Sequence, residues 1–383
     1  MIYDTYDYDF LRLCGLCKYV PKELYKRYRS DIFCRNIVEN LMYHKIIKLQ
    51  NNKLSYKLTT KGKEVLAEMG DTFPEDVKMN INRVAYKRML ISARFTVLLH
   101  LAGINVFCRN IEQLNKEESG YICKHMLYEK YERRKIAGTR FLGILKLHDV
   151  IYIPYYVESS NDGILPKFEK SVFSKIVSDL DGVKKIIIML VGETLEELCD
   201  NFFEEHKCEN SNRGYRSFKR ALEILGEKFS FVSLDRCGVL QLNIMNIWRY
   251  KRELMKAINN LDQNPGEYTL SDGIYKECTP LSIGLDISPL EIKAAVKQAW
   301  DISREHRPRI VYLWFQHKVW LRIFEREINY ASILSQINEE NMKLVFGKQL
   351  KTFERKPFFK DGKCIAVHPP DDDKEEDVFE EAE

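Results

Sequence analysis

With 383 residues, 45% of them hydrophobic and 30% charged, and a formal net charge of +4, the chain has the balance of a globular protein and the length of two domains plus a linker. Membrane insertion and secretion are not expected. No apolar run approaches the ~20 residues of a membrane helix, Phe95–Phe107 being broken by His100 and Asn105, and Met1-Ile2-Tyr3-Asp4 lacks a leader pattern. The 10 cysteines, spread from Cys14 to Cys364, fit reduced thiols in a cytoplasmic protein better than a disulfide framework.

Asp9–Val20 predicts a first helix, with Phe10, Leu13, Leu16 and Cys17 on one apolar stripe. Cys14 and Cys17 form the CxxC of this stretch; with no second pair at finger spacing, both are read as small core hydrophobes. Pro21 suits the first position of a second helix, Pro21–Tyr28, that buries Leu24. Ser30 or Asp31 then caps a third helix whose Phe33, Ile37 and Leu41 face the core, leaving Arg35, Asn36, Glu39 and Asn40 outside. The run from Ile46 onward follows as a two-stranded hairpin closed by an Asn51-Asn52 turn. Three helices and a hairpin in this order describe a winged helix-turn-helix, and its expected partner is double-stranded DNA.

The third helix is expected to read bases. Arg and Asn match the donor and acceptor edges of guanine and adenine in the major groove, which makes Arg35 and Asn36 the principal candidates, with Asn40 beside them. Lys45, Lys48, Lys53 and Lys57 decorate the hairpin, where ammonium groups reach phosphates. Residues 1–65 carry 13 Lys/Arg against 7 Asp/Glu, so affinity should fall steeply with salt.

The run Tyr56-Lys57-Leu58-Thr59-Thr60-Lys61-Gly62-Lys63-Glu64-Val65-Leu66 resembles the wing and following helix of PadR- and MarR-like regulators. It is also similar to the replication-relaxation family of plasmids and conjugative elements. Thr139–Leu145 followed by Tyr152-Ile153-Pro154-Tyr155 resembles that family's arginine-glycine strand and tyrosine-bearing strand. The resemblance implies a winged helix followed by an unrelated α/β domain, a role in replication, transfer or transcription control on mobile DNA, and replication or transfer proteins as partners.

Gly70-Asp71-Thr72-Phe73-Pro74 marks a boundary. A helical connector is expected over residues 71–119, its main helix running from Glu75 to Gly103 with Arg83, Lys87, Arg88 and Arg94 outside; such a helix is suited to pairing with its copy in a homodimer. A mixed α/β domain is expected over 120–367. Its strands are Arg140–Leu147 and Val150–Val157 (a hairpin about His148-Asp149), Lys184–Val191, Phe229–Leu234, Val239–Met245, Arg309–Phe315 and Val319–Phe324. Its helices are Lys167–Leu180, Thr194–His206, Tyr215–Leu225, Trp248–Asn260, Pro289–Arg304 and Glu325–Lys343. No internal repeat is evident. Residues 368–383 predict a disordered acidic tail, since 9 acidic residues and 1 Lys crowd Asp371–Glu383. The fold class is therefore α+β.

Catalytic patterns are sparse. There is no histidine pair for a relaxase metal site, no GxxxxGK[ST] loop and no GxGxxG after a strand. The order hairpin, helix, strand, helix around Arg140–His206 resembles a restriction-endonuclease core, but Ile186–Val191 has no carboxylate, and Asp149, Glu158 and Glu193 lie at strand ends and turns. Arg140 is read as structural, paired to Asp149 or Glu158. No catalytic residue, metal or cofactor is assigned. The expectation is a non-enzymatic DNA-binding protein; the alternatives are a Mg-dependent nuclease or relaxation protein, and a protein-interaction scaffold without DNA affinity.

Overall fold

The structure, a computed structural model, describes residues 5–23, 38–50, 53–73, 84–157, 166–203, 228–257, 261–262, 272–275, 279–302, 309–324, 334–347, 349, 359–360 and 363–364. The fold is mixed α+β, and the chain divides into two compact units, Met1–Leu101 with Thr352–Glu383, and Ala102–Lys351. The acidic segment 368–383 and the expected helix Tyr215–Leu225 lie outside the described residues.

In the first unit, helix α1 (Thr5–Cys17) buries Phe10, Leu11, Leu13, Cys14, Leu16 and Cys17. It stops where Lys18 turns to a left-handed φ of 63°. Val20–Pro21 then form strand β1, antiparallel to β3 (Ser55–Leu58) in the register Val20↔Tyr56 and Pro21↔Ser55. This corrects the helix expected to open at Pro21. A proline cannot donate to a sheet ladder, which matters little on an edge, and β1 is an edge of the order β1-β3-β2. Helix α2, described over residues 38–43, leads into β2 (Ile47–Leu49), and β2 pairs antiparallel with β3 as the expected hairpin.

Helix α3 (Thr60–Glu68) follows β3, and α4 (Val84–Leu101) packs against α1 and β1. Tyr86 of α4 is 2% exposed; its ring meets Tyr19 edge-on and its hydroxyl is 2.8 Å from that of Ser55. The long helix expected as a connector is thus part of the first unit's core, and the units divide at Leu101/Ala102, where the sequence suggested boundaries at 70 and 119.

The second unit holds two five-stranded sheets. After α5 (Ile111–Lys116), β4 (Ser119–Cys123) leads through a 3₁₀ turn and α6 (Arg133–Gly138) to β5 (Gly143–Leu147) and β6 (Val150–Tyr156). Then come α7 (Pro166–Val177), β7 (Lys185–Gly192), α8 (Leu195–Phe203), β8 (Phe229–Ser233) and α9 (Arg236–Met245). The sheet order is β4-β5-β6-β7-β8, with β4, β5 and β6 antiparallel to their neighbours and β6, β7 and β8 parallel.

The same plan then recurs. Helix α10 (Tyr250–Ala257) precedes β9 (Leu261–Asp262), β10 (Gly273–Tyr275) and β11 (Thr279–Ile283). Helix α11 (Pro289–Ile302), β12 (Arg309–Leu313), α12 (His317–Phe324), β13 (Leu334–Ile337) and α13 (Glu339–Phe346) complete it. The order β9-β10-β11-β12-β13 again runs antiparallel, antiparallel, parallel, parallel. The unit is therefore a tandem structural repeat, which corrects the reading of no internal repeat. Equivalent helices α8 and α12 face each other through Arg322–Asp200 at 2.5 Å and Lys318–Glu196 at 3.4 Å.

Three further segments differ from expectation. Val239–Met245 lies in a helix, because Asp235 accepts from Gly238 N and caps it. Val319–Phe324 is also helical: its buried Val319, Trp320, Ile323 and Phe324 recur at helical spacing. Within Glu325–Lys343, residues 334–337 form β13, and α13 follows it, capped where Asn338 accepts from Asn341 N; residues 325–333 lie outside the described residues. Strands β10 and β11 fall in a stretch read as loop-rich from Asn264 onward. Among the described residues no helix is long and apolar enough to cross a membrane.

Candidate nucleic-acid interface

The cationic hairpin is built on the junction of α2, β2 and α3. Leu41 anchors α2 in the core at 1% exposure, and His44 N to Asn40 O, Lys45 N to Met42 O and Ile46 N to Leu41 O close the helix end. Lys45 then takes a left-handed φ of 56°, which turns the chain into β2. Across the ladder Lys48 sits directly opposite Lys57. At the far end Lys53, also at φ 56°, donates its N–H to Gln50 O at 2.8 Å, and Gln50 N bonds Ser55 O.

Thr59 ties this hairpin to α3. Its hydroxyl lies 2.7 Å from Lys45 O and 3.0 Å from Ile46 O, and accepts from Gly62 N at 3.1 Å. Gly62 lies so near the hairpin that a Cβ there would sit 2.3 Å from Ile46 O. The Thr-Thr-Lys-Gly signature of the sequence is thus a joint: a cap at its first residue, and at its last a side-chain-free contact between helix backbone and strand backbone.

Lys45, Lys48 and Lys53 are exposed, Lys57 is half-exposed, and none of the four ammonium groups forms an ion pair with a described residue. Asn40 is half-buried on α2. Arg35 and Asn36, the candidates for base contact, lie outside the described residues, as do the Asn51-Asn52 turn, Phe33 and Ile37. Tyr43 at 82% exposure and Leu54 at 57% flank the lysines; neither was singled out in the sequence, where each passes for a core residue. Cys14 and Cys17 are buried, and desolvation pushes the Cys17 thiol up to about 12, which fits the core role assigned to them.

In the second unit the carboxylates considered for a nuclease centre are not brought together. Asp149, before β6, pairs with Lys184 at 3.0 Å, while Glu193, after β7, accepts from Tyr156 at 2.8 Å. Because β6 and β7 run parallel, these groups occupy opposite ends of the sheet, roughly 20 Å apart over a seven-residue strand. Among the described residues no group of three or more His, Cys, Asp or Glu is placed to hold a metal.

Asp149 is thus paired to Lys184, and Glu158, the other partner expected for Arg140, lies outside the described residues. Glu169, 1% exposed on α7, accepts from the backbone N–H of Arg140 at 2.6 Å and from the Tyr155 hydroxyl at 3.0 Å. Burial pushes its carboxyl up to about 7, opposed by those hydrogen bonds and by the charge of Lys124. Burial likewise brings Lys124 down to about 8. The sequence signal for this group is a carboxylate on the apolar stripe Glu169, Val172, Phe173, Ile176. Comparison with protein families, with characterised proteins and with solved structures gives no match for this chain.

Proposed function

We propose that the chain binds double-stranded DNA through its first unit, acting as a winged helix-turn-helix. The hairpin β2–β3 serves as the wing on the phosphates, with Asn40 and the sequence candidates Arg35 and Asn36 for base edges. One observation carries this reading: four uncompensated lysines on one short hairpin, two of them paired directly across the ladder. Like charges opposite one another destabilise a sheet, and a lysine at φ 56° gains nothing there that glycine would not supply better. Both costs are offset if the hairpin's natural neighbour is a polyanion.

The resemblance noted in the sequence extends the proposal to the replication-relaxation family, and so to a cytoplasmic protein of plasmid or conjugative DNA with replication or transfer proteins as partners. The test is fluorescence anisotropy of the full chain with a random-sequence duplex across a salt series. Four lysine–phosphate contacts at ~0.9 each give a slope of log K against log salt of about −3.6. Absence of binding in dilute buffer would favour the protein-interaction scaffold and end the DNA reading.

A further inference from the structure

A second aromatic–cationic group lies on the other unit, far in sequence from the hairpin. Trp248, in the turn between α9 and α10, is 51% exposed. The Arg249 guanidinium lies over its ring at 5.2 Å from the centroid. The His148 imidazole, from the β5–β6 turn, meets the ring edge-on at 4.8 Å. Both neighbours adopt left-handed backbone, φ 57° at His148 and φ 56° at Arg249. Such conformations cost a non-glycine residue on the order of 1 kcal/mol each and collect where a side chain must be presented in a fixed direction.

The group is braced from behind. His148 Nε2 donates to Asn246 O at 3.0 Å, and Asn246 Nδ2 donates to Gly103 O at 3.3 Å. Exposed Arg252 follows one helical turn after Arg249, and exposed Lys184 bonds through Asp149, the residue after His148. A tryptophan that anchors a protein partner ordinarily sits in an apolar patch. Here a guanidinium and an imidazole lie against its ring. We infer that Trp248, His148 and Arg249 form a stacking platform for an unpaired base, so that the second unit holds single-stranded nucleic acid. Every base has a π-face, and an indole with a guanidinium beside it suits stacking together with backbone neutralisation. The site is independent of the duplex-binding proposal and would give the chain a grip on a locally opened strand.

The test uses the full chain and a fluorescein-labelled oligothymidine of about 15 nucleotides, followed by anisotropy. Trp248→Ala should weaken its binding about tenfold, the loss expected for one stacked base. Trp248→Phe should stay within about threefold of the wild type, because a π-face remains. Binding of a duplex of equal length should change less than twofold for both. The inference is overturned if Trp248→Ala binds oligothymidine like the wild type, if Trp248→Phe falls as far as Trp248→Ala, or if the wild type binds duplex but no oligothymidine. The converse, oligothymidine bound and duplex ignored, would overturn the hairpin proposal alone. Should circular dichroism show Trp248→Ala to be misfolded, Arg249→Ala decides: a loss of about threefold supports the platform and wild-type affinity removes it.

Discussion

Replacing Gly62 by alanine isolates the joint on which the hairpin rests. Two effects oppose each other. Alanine favours a helix over glycine by about 1 kcal/mol, and Gly62 lies in the first turn of α3. Against this, the new methyl would stand 2.3 Å from Ile46 O and 3.2 Å from Leu58 Cδ2. A carbon–oxygen contact settles near 3.3 Å or more, so helix and strand must part by about 1 Å. Ile46 O also accepts from Thr59 N at 3.0 Å and lies 3.0 Å from the Thr59 hydroxyl. Overpacking costs about 1–3 kcal/mol, and weakening two hydrogen bonds adds about 1 kcal/mol each. The overlap wins, with a net loss of about 3 kcal/mol, or about 15 °C in the melting of a unit of this size. Calorimetry of the full chain measures it, with Gly70→Ala as control. Gly70 has φ 85° and open space around a Cβ, so that change should cost only about 1 kcal/mol of backbone strain. A Gly62→Ala transition at or above the wild-type temperature would refute the steric argument.

Removing Lys48 and Lys53 together (Lys48→Ala, Lys53→Ala) should reduce the salt slope of duplex binding by about 1.8 and weaken binding roughly 30-fold at 0.15 M salt, where each phosphate contact carries about 0.7 log units. Parallel salt titrations for variant and wild type would contradict their contact with phosphate. Lys53→Gly should relieve the left-handed strain and leave stability unchanged or slightly raised while still lowering duplex affinity; a loss of stability in urea titrations would show that the turn needs its side chain. Glu169, whose folded pKa rises from 4.5 to about 7, contributes most where it is protonated. That contribution is complete below about pH 4.5 and is lost as pH climbs through 7, a change on the order of 3 kcal/mol. Glu169→Gln should remove this dependence, so the variant gains on the wild type between pH 5 and pH 8; superimposable pH profiles in urea unfolding would dismiss it.

Much of the architecture is legible in the chain. The β2–β3 hairpin, the β5–β6 hairpin about His148-Asp149, and the α7, β7 and α8 elements follow from local periodicity, because each has one apolar face or is apolar throughout. Errors arose where local pattern is ambiguous. Val239–Met245 and Val319–Phe324 are short apolar runs, in which strand and helix look alike until the preceding cap is recognised. Pro21 fits a helix start or an edge strand equally well, and only its pairing with Ser55 separates the two. The candidate site divides in the same way: the hairpin lysines stand out from composition, whereas the Trp248 platform joins turns about 100 residues apart, which no local pattern encodes.

Alone, the amino-acid order determined the α+β class, the cationic hairpin and most helix and strand positions, since these depend on side-chain periodicity and on residues with restricted backbones. Only the tertiary structure decided that the second unit repeats one five-stranded plan. Its two halves share strand order and direction without sharing side chains, because a buried position asks for apolar volume and not for a particular residue. It also decided that α4 belongs to the first unit's core, that Glu169 is buried against the Arg140 backbone N–H and the Tyr155 hydroxyl, and that an exposed tryptophan meets an imidazole and a guanidinium. Those are long-range contacts, fixed by how the elements pack.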